Sequence, residues 1–303
     1  MQTDEFFKKL RYFVLNNKAD SLEKLMKKNR YTQISQKDFF DFIFSFNKKL
    51  QKRLVRCINI NGSGGSGIVK LNLTSLASIY VAAISRLDVV KTGSRANTGL
   101  CGSTDFFEAI GLLNVKKKLK AINRYHFAYF DYLELSPWKK YKDLLKINKT
   151  IELFLDNIVF FEYQAALHGL GLSNPEYLQK MCRIQTLRFP QNIFTFYTKL
   201  QGDKYIDEVC AGEVFLNDKF VTAIMSENYF PTTKSEILQE DIKLLNGCTT
   251  NTEAYTSLKY SVAIYLLGMK FVDKIESSIH LFEEAYSNKL AYHLVENIKN
   301  DCN

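Results

Sequence analysis

The six cysteines (Cys57, Cys101, Cys182, Cys210, Cys248 and Cys302) never come as a C-x-x-C pair. That spacing suggests neither a zinc site nor a disulfide framework, and reduced thiols in a cytoplasm are expected. No apolar run reaches the ~20 residues that span a bilayer. The opening stretch MQTDEFFKKLRYFVLNN is charged throughout and lacks an apolar segment with a small-residue cleavage site, so no signal peptide is expected. The four histidines (His126, His168, His280 and His293) are scattered without ligand spacing and read as structural. Glycine and proline are missing from the first sixty residues, which favours a compact helical unit there. Repeats and low-complexity linkers are missing too, so two parts of the chain would be interwoven rather than strung in series.

What is present is ordinary globular composition. The chain has 303 residues, 46% hydrophobic and 24% charged, enough to bury a core and unlike a disordered, collagen-like or coiled-coil sequence. The formal net charge of +9 suits a polyanion, either a phosphorylated small molecule or nucleic acid. Lysines spread over solvated faces account for such an excess equally well.

Apolar residues recur at helical spacing in Phe6, Phe7, Leu10, Phe13 and Val14, then in Leu22, Leu25 and Met26, then in Phe39, Phe40, Ile43 and Phe44. Ser35 with Asp38 three residues on predicts an N-cap for the third helix. The pattern then changes to a strand at Val55–Ile60, a glycine loop at 61–67 and a helix over Thr74–Ile84, the first unit of an α/β sheet. A second unit follows, with a strand at Asp88–Val90 and a helix at Ser103–Ala109. Further strands are expected at Phe127–Phe130, Ala165–Leu170, Ile193–Tyr197 and Val221–Met225, in a mostly parallel central sheet. Pro137–Phe161 reads as one long amphipathic helix, with Trp138 packed at its start. Glu253–Leu267 and Lys270–Tyr286 read as two strong closing helices. The expected fold is α/β: a helical domain at 1–52 with 136–164 packing on it, and a larger α/β domain at 53–135 and 165–303.

The loop Asn61-Gly62-Ser63-Gly64-Gly65-Ser66-Gly67 follows a strand, where backbone N–H groups and the next helix N-terminus can face a phosphate. A Gly/Ser loop is also simply a flexible turn. Asn72, Thr74 and Ser75 put an amide and two hydroxyls at the next helix start, as caps or as phosphate donors. The run from Lys91 through Thr92, Ser94 and Arg95 to Ser103 adds two cations and several hydroxyls beside glycine turns, a composition suited to polyphosphate. Asp207 and Glu208 form an adjacent acidic pair of hard oxygens.

These segments together resemble the anthranilate phosphoribosyltransferase family. Its GTGGD, N-x-S-T and K-H-G-N-R-A-x-S-S-x-x-G-S-A-D-x-L-E-A-L-G motifs are matched by GSGGSG, NLTS and KTGSRANTGLCGSTDFFEAIG, the last in register from Lys91 to Gly111. Its G-x-D-G-L-D-E is matched by Gly202-Asp203-Lys204-Tyr205-Ile206-Asp207-Glu208. Its S-G-K-A signature is matched loosely by Ser287-Asn288-Lys289-Leu290-Ala291.

The resemblance implies displacement of pyrophosphate from carbon one of phosphoribosyl pyrophosphate by a nitrogen nucleophile, assisted by Mg²⁺ on Asp207 and Glu208. It implies contacts to the phosphoribosyl and pyrophosphate groups from Gly62, Ser63, Gly64, Gly65, Asn72, Thr74, Ser75, Lys91, Thr92, Ser94 and Ser103. Lys91 and Arg95 would carry the catalytic charge, and Lys149 falls near the family's acceptor motif R-T-I-F-N. The departures are Ser66 for the acid of GTGGD, Thr92 and Ser94 for the His and Asn of K-H-G-N, and Lys149-Thr150-Ile151-Glu152-Leu153 for R-T-I-F-N. The phosphate side is kept better than the acceptor side, which points to an aromatic or heterocyclic acceptor other than anthranilate. A homodimer through the helical domain is expected. A non-catalytic nucleic-acid-binding relative and a nucleoside phosphorylase stand as alternatives.

Overall fold

A computed structural model describes residues 3–35, 38–39, 41–42, 46, 54, 56–62, 68–96, 99–152, 165–173, 192–202, 204–227, 229 and 231–303. The chain divides into two compact units, one of residues 1–55 with 131–164, the other of 56–130 with 165–303.

In the first unit, helix α1 (Thr3–Leu15) buries Phe6, Leu10 and Val14, one stripe at four-residue spacing. Helix α2 (Ala19–Lys28) buries Leu22, Leu25 and Met26. The expected cap at Ser35 is present: its Oγ accepts the Asp38 N–H at 3.0 Å and donates to Asp38 Oδ2 at 2.7 Å.

The long helix expected from Pro137 is broken in its described part into a 3₁₀ turn, Pro137–Tyr141, and one helical turn, Lys142–Leu145. Asn148 explains the break. Its Oδ1 accepts the N–H groups of Thr150 and Ile151 at 3.0 Å each, opening a fresh helical turn. Its Nδ2 donates to the carbonyls of Asn29 at 2.5 Å and Thr32 at 3.1 Å. A side chain that can satisfy backbone groups at a cap competes with continued helix. Residues 153–161 of the expected helix lie outside the described residues. Trp138 is buried, as expected.

The second unit is built on an eight-stranded sheet in the order β3-β2-β1-β4-β5-β7-β8, with β6 pairing β5 beside this path. In chain order its elements are β1 (Ile58–Gly62), α3 (Leu73–Ser85), β2 (Val89–Gly93), α4 (Ser103–Ala109), α5 (Lys118–Tyr125), β3 (Phe127–Asp131), β4 (Leu167–Gly171), β5 (Asn192–Leu200), β6 (Lys204–Ile206), β7 (Gly212–Leu216), β8 (Lys219–Ile224), α6 (Lys234–Leu245), α7 (Thr252–Gly268), α8 (Ile275–Ser287) and α9 (Leu290–Cys302). Strand β1 pairs in parallel with β2 and β4, and β4 with β5. The β5, β6, β7 and β8 pairings are antiparallel. The architecture is thus α/β with a mostly parallel centre, as expected.

The core sits where α3 and α7 meet the sheet. Every residue of α3 from Leu73 to Ala82 is buried, which its small and apolar sequence LTSLASIYVA permits. Tyr265 of α7 meets Phe194 and Phe196 of β5 edge-on, with ring centroids 5.8 and 5.1 Å apart. Among the described residues no helix is long and apolar enough to cross a membrane.

Candidate functional site

The parallel register of β1 and β4 sets Gly62 opposite Gly171 at the carboxyl ends of two central strands. Both glycines make room for one acid. A Cβ added at Gly171 would lie 2.1 Å from the Asp207 carbonyl oxygen, and one at Gly62 would lie 2.9 Å from Asp207 Oδ2. Glycine inside a strand often marks such a close approach. The short strand β6 ends at Ile206 and delivers Asp207 and Glu208 to this mouth, where both are buried.

Glu208 is held from two sides. Its carbonyl oxygen accepts the Thr198 hydroxyl at 2.9 Å. Its Oε2 accepts the Thr74 N–H at 2.8 Å and the Thr74 hydroxyl at 2.6 Å. That amide belongs to the first turn of α3, where N–H groups have no helical partner and the helix dipole favours negative charge. The Asp207 carboxylate pairs with the Lys70 ammonium.

Lys91, on β2, is buried and donates to the Thr92 carbonyl at 2.6 Å. Burial pushes its ammonium down to about 8, against the pull of Glu208 and Asp207. Burial raises the Glu208 carboxyl, and Lys70 opposes that rise. Burial would also lower Lys70, yet the charges of Asp207 and Glu208 reverse this and leave it raised. Two acids and two lysines therefore share one electrostatic environment.

Around this centre, Asn72 is fixed by Asp241 of α6, which accepts its backbone N–H at 3.1 Å and its side-chain amide at 2.8 Å. Burial pushes Asp241 up to about 7, against both Asn72 bonds. Ser75 Oγ donates to Ser103 Oγ at 2.9 Å. Gly93 permits that approach, since a Cβ there would lie 2.6 Å from the Ser103 Cβ.

The structure thus brings together Gly62, Thr74, Lys91, Asp207 and Glu208, and separately links Ser75 with Ser103. Thr92 is buried, its hydroxyl 2.7 Å from Asn61 Oδ1 on β1. Ser94 donates to the Arg95 carbonyl at 3.0 Å. The Arg95 guanidinium is exposed and clasps α4, 2.7 Å from Asp105 and 2.7 Å from Glu108. Lys149, in the helical unit, pairs with Glu152 at 2.7 Å. Ser63, Gly64, Gly65 and Ser66 lie outside the described residues. Sequence reasoning missed Lys70, Asp241 and Gly171. Only Gly171 had a signal, as one of two glycines in the apolar stretch His168-Gly169-Leu170-Gly171-Leu172.

Residues 54–126, which carry β1 through α5, match the "Glycosyl transferase family, a/b domain". Over 74 residues the chain is 38% identical to an anthranilate phosphoribosyltransferase of Mycobacterium marinum, a match spanning 24% of this chain and 20% of that protein. The relative from Nitrosopumilus maritimus is 23% identical over 306 residues, covering 93% of this chain and 86% of its own length. In sequence over a quarter of its length and in fold over nearly all of it, the chain is similar to anthranilate phosphoribosyltransferases. Solved structures of anthranilate phosphoribosyltransferases share its fold. That of Thermus thermophilus superposes with a TM-score of 0.64 at 16% identity, covering 93% of this chain and 94% of its own. That of Saccharomyces cerevisiae, in complex with PRPP and Mg, gives 0.64 at 16% identity, covering 96% and 82%. The chain spans about a fifth of the length of the Mycobacterium relatives it matches at 36–38% identity, and the fold it shares with the Thermus thermophilus structure extends over nearly the whole chain.

Proposed function

We propose that the protein is a phosphoribosyltransferase that moves phosphoribose from phosphoribosyl pyrophosphate to a nitrogen acceptor other than anthranilate. The observation that carries this reading is the meeting of Gly62, Thr74, Lys91 and the Asp207–Glu208 pair at the carboxyl ends of β1 and β4. Open α/β sheets bind ligands at that edge. The yeast relative solved with PRPP and Mg supports the choice of donor and ion.

The adjacent carboxylates supply the hard oxygens Mg²⁺ prefers, usually one or two carboxylates together with substrate phosphates. Substrate phosphate oxygens would complete the shell beside the two carboxylates. Bound there, the ion would stabilise charge on the departing pyrophosphate. The chain's own part is positioning and electrostatics. Lys91 sets a fixed positive charge beside the phosphates. The first turn of α3, with Thr74 and Ser75, offers N–H and hydroxyl donors, and Ser103 extends that row. Asp241 acts through Asn72 by holding its amide. Thr92 and Ser94, which replace the His and Asn of the family's K-H-G-N, set a different acceptor preference. We expect a homodimer through the first helices, where Tyr12 and Leu15 of α1 are half exposed.

Calorimetry of the full chain with phosphoribosyl pyrophosphate, with and without Mg²⁺, tests the donor. Saturable binding is expected, and undetectable binding overturns the reading. Pyrophosphate release with a panel of aromatic and heterocyclic amines tests the acceptor. Anthranilate emerging as the best substrate by kcat/KM overturns that part alone.

A further inference from the structure

Lys70 pairs with Asp207 at the position where the preceding reading puts a cation. Its place is set by its neighbours. Leu71 is buried, and Asn72 is tied by backbone and side chain to Asp241, so the main chain carrying Lys70 is anchored two residues on. Two carboxylates, Asp207 and Glu208, face two ammonium groups, Lys70 and Lys91, which both interact with both acids. Glu208 Oε2 also takes the Thr74 N–H, a bond that only an acceptor can make.

A free divalent ion entering beside Asp207 would set two further positive charges next to the Lys70 ammonium in a largely buried site. Buried charge without a partner is costly. Lys70 is only 21% exposed, yet that exposure gives its chain a way out toward solvent. We propose that Lys70 is a built-in counter-cation of the Asp207–Glu208 pair that keeps free divalent metal off it. A divalent ion then reaches these carboxylates only together with a polyphosphate, whose own negative charge restores the balance and offers the displaced ammonium a new partner. The inference rests on the reading of this pair as a cation site.

Mn²⁺ titrated alone into the full chain is the probe, read by calorimetry and by the electron paramagnetic resonance of the free ion. Wild-type protein is expected to show no saturable Mn²⁺ binding at the pair. Lys70→Met is expected to gain a site at least about tenfold tighter, which Asp207→Asn in the same background removes. Mn²⁺ should raise the melting temperature of Lys70→Met and leave that of wild type unchanged. Lys70→Arg, which keeps the charge, should behave as wild type. If Lys70→Met cannot be purified, the wild-type titration still decides: Mn²⁺ bound by wild type and lost in Asp207→Asn overturns the proposal. Lys70→Met binding Mn²⁺ no better than wild type overturns it too. Because no phosphoribosyl pyrophosphate enters these titrations, a failure of donor binding leaves their outcome readable and counts only against the transferase reading.

Discussion

Single side chains at the sheet edge carry opposed electrostatic demands. Thr74 gives both its amide and its hydroxyl to one oxygen of Glu208. Thr74→Val keeps the shape and removes one donor from a buried carboxylate. It should destabilise the protein by about 1–3 kcal/mol and weaken donor binding, checked by urea denaturation and calorimetry. His168 on β4 is a second buried titratable group, its Nδ1 3.2 Å from Asn59 Nδ2, and burial pushes it from 6.5 down to about 4. With the folded value below the unfolded one, the unfolded chain takes up the proton first as the pH falls. Stability is therefore lost between pH 6.5 and about 4, by up to roughly 3 kcal/mol if the whole shift is realised. Asp241, raised by burial, slopes the other way. The histidine effect is thus read as the difference between wild type and His168→Asn in denaturation at pH 7 and 4.5. Parallel pH profiles for the two would contradict it.

Elements meet the site through close backbone approaches that leave little trace in local patterning. At Gly171 an added Cβ would lie 2.1 Å from a carbonyl oxygen, which a side-chain rotation cannot relieve. Gly171→Ala should cost about 3 kcal/mol, seen as a lowered melting temperature, whereas Gly202→Ala meets no atom within 4 Å and serves as a positive-φ glycine control on a turn. Asn148→Ala removes a cap and the bonds to Asn29 and Thr32. A loss of about 2 kcal/mol, with hydrogen exchange quickened around Lys142–Ile151, is expected. Period and turn chemistry made β1, α3 and α4 readable in advance, since each pairs a clean apolar run with a capping or glycine boundary. Asn148 defeated the same reading because its advantage depends on carbonyls more than a hundred residues away. Helix α9 escaped because Lys289, at φ 52°, restarts the chain after α8 without a glycine to mark the turn. The acidic pair was legible only through its place in a motif series, while Lys70, a lone lysine between apolar residues, offered no local cue.

At the scale of the whole molecule, the formal charge of +9 and the lysines that face the acidic pair raise the question of nucleic acid as the partner. The two uses of positive charge differ in salt response. A duplex binder releases counterions and loses affinity steeply with salt; a buried pocket holding a small phosphate ester is screened much less. Titrations of phosphoribosyl pyrophosphate and of a short DNA duplex between 50 and 200 mM salt are expected to separate them, with duplex binding weak and donor binding retained. The path of the chain has its own consequence. It leaves the helical unit after residue 55 and returns at 131. During synthesis, the first helices must therefore clear the ribosome well before the segment that completes their unit. Until it arrives, α1 and α2 lack the packing that Pro137–Tyr141 and Lys142–Leu145 give them, so a fragment cut after the first helices is expected to be less stable than the intact unit.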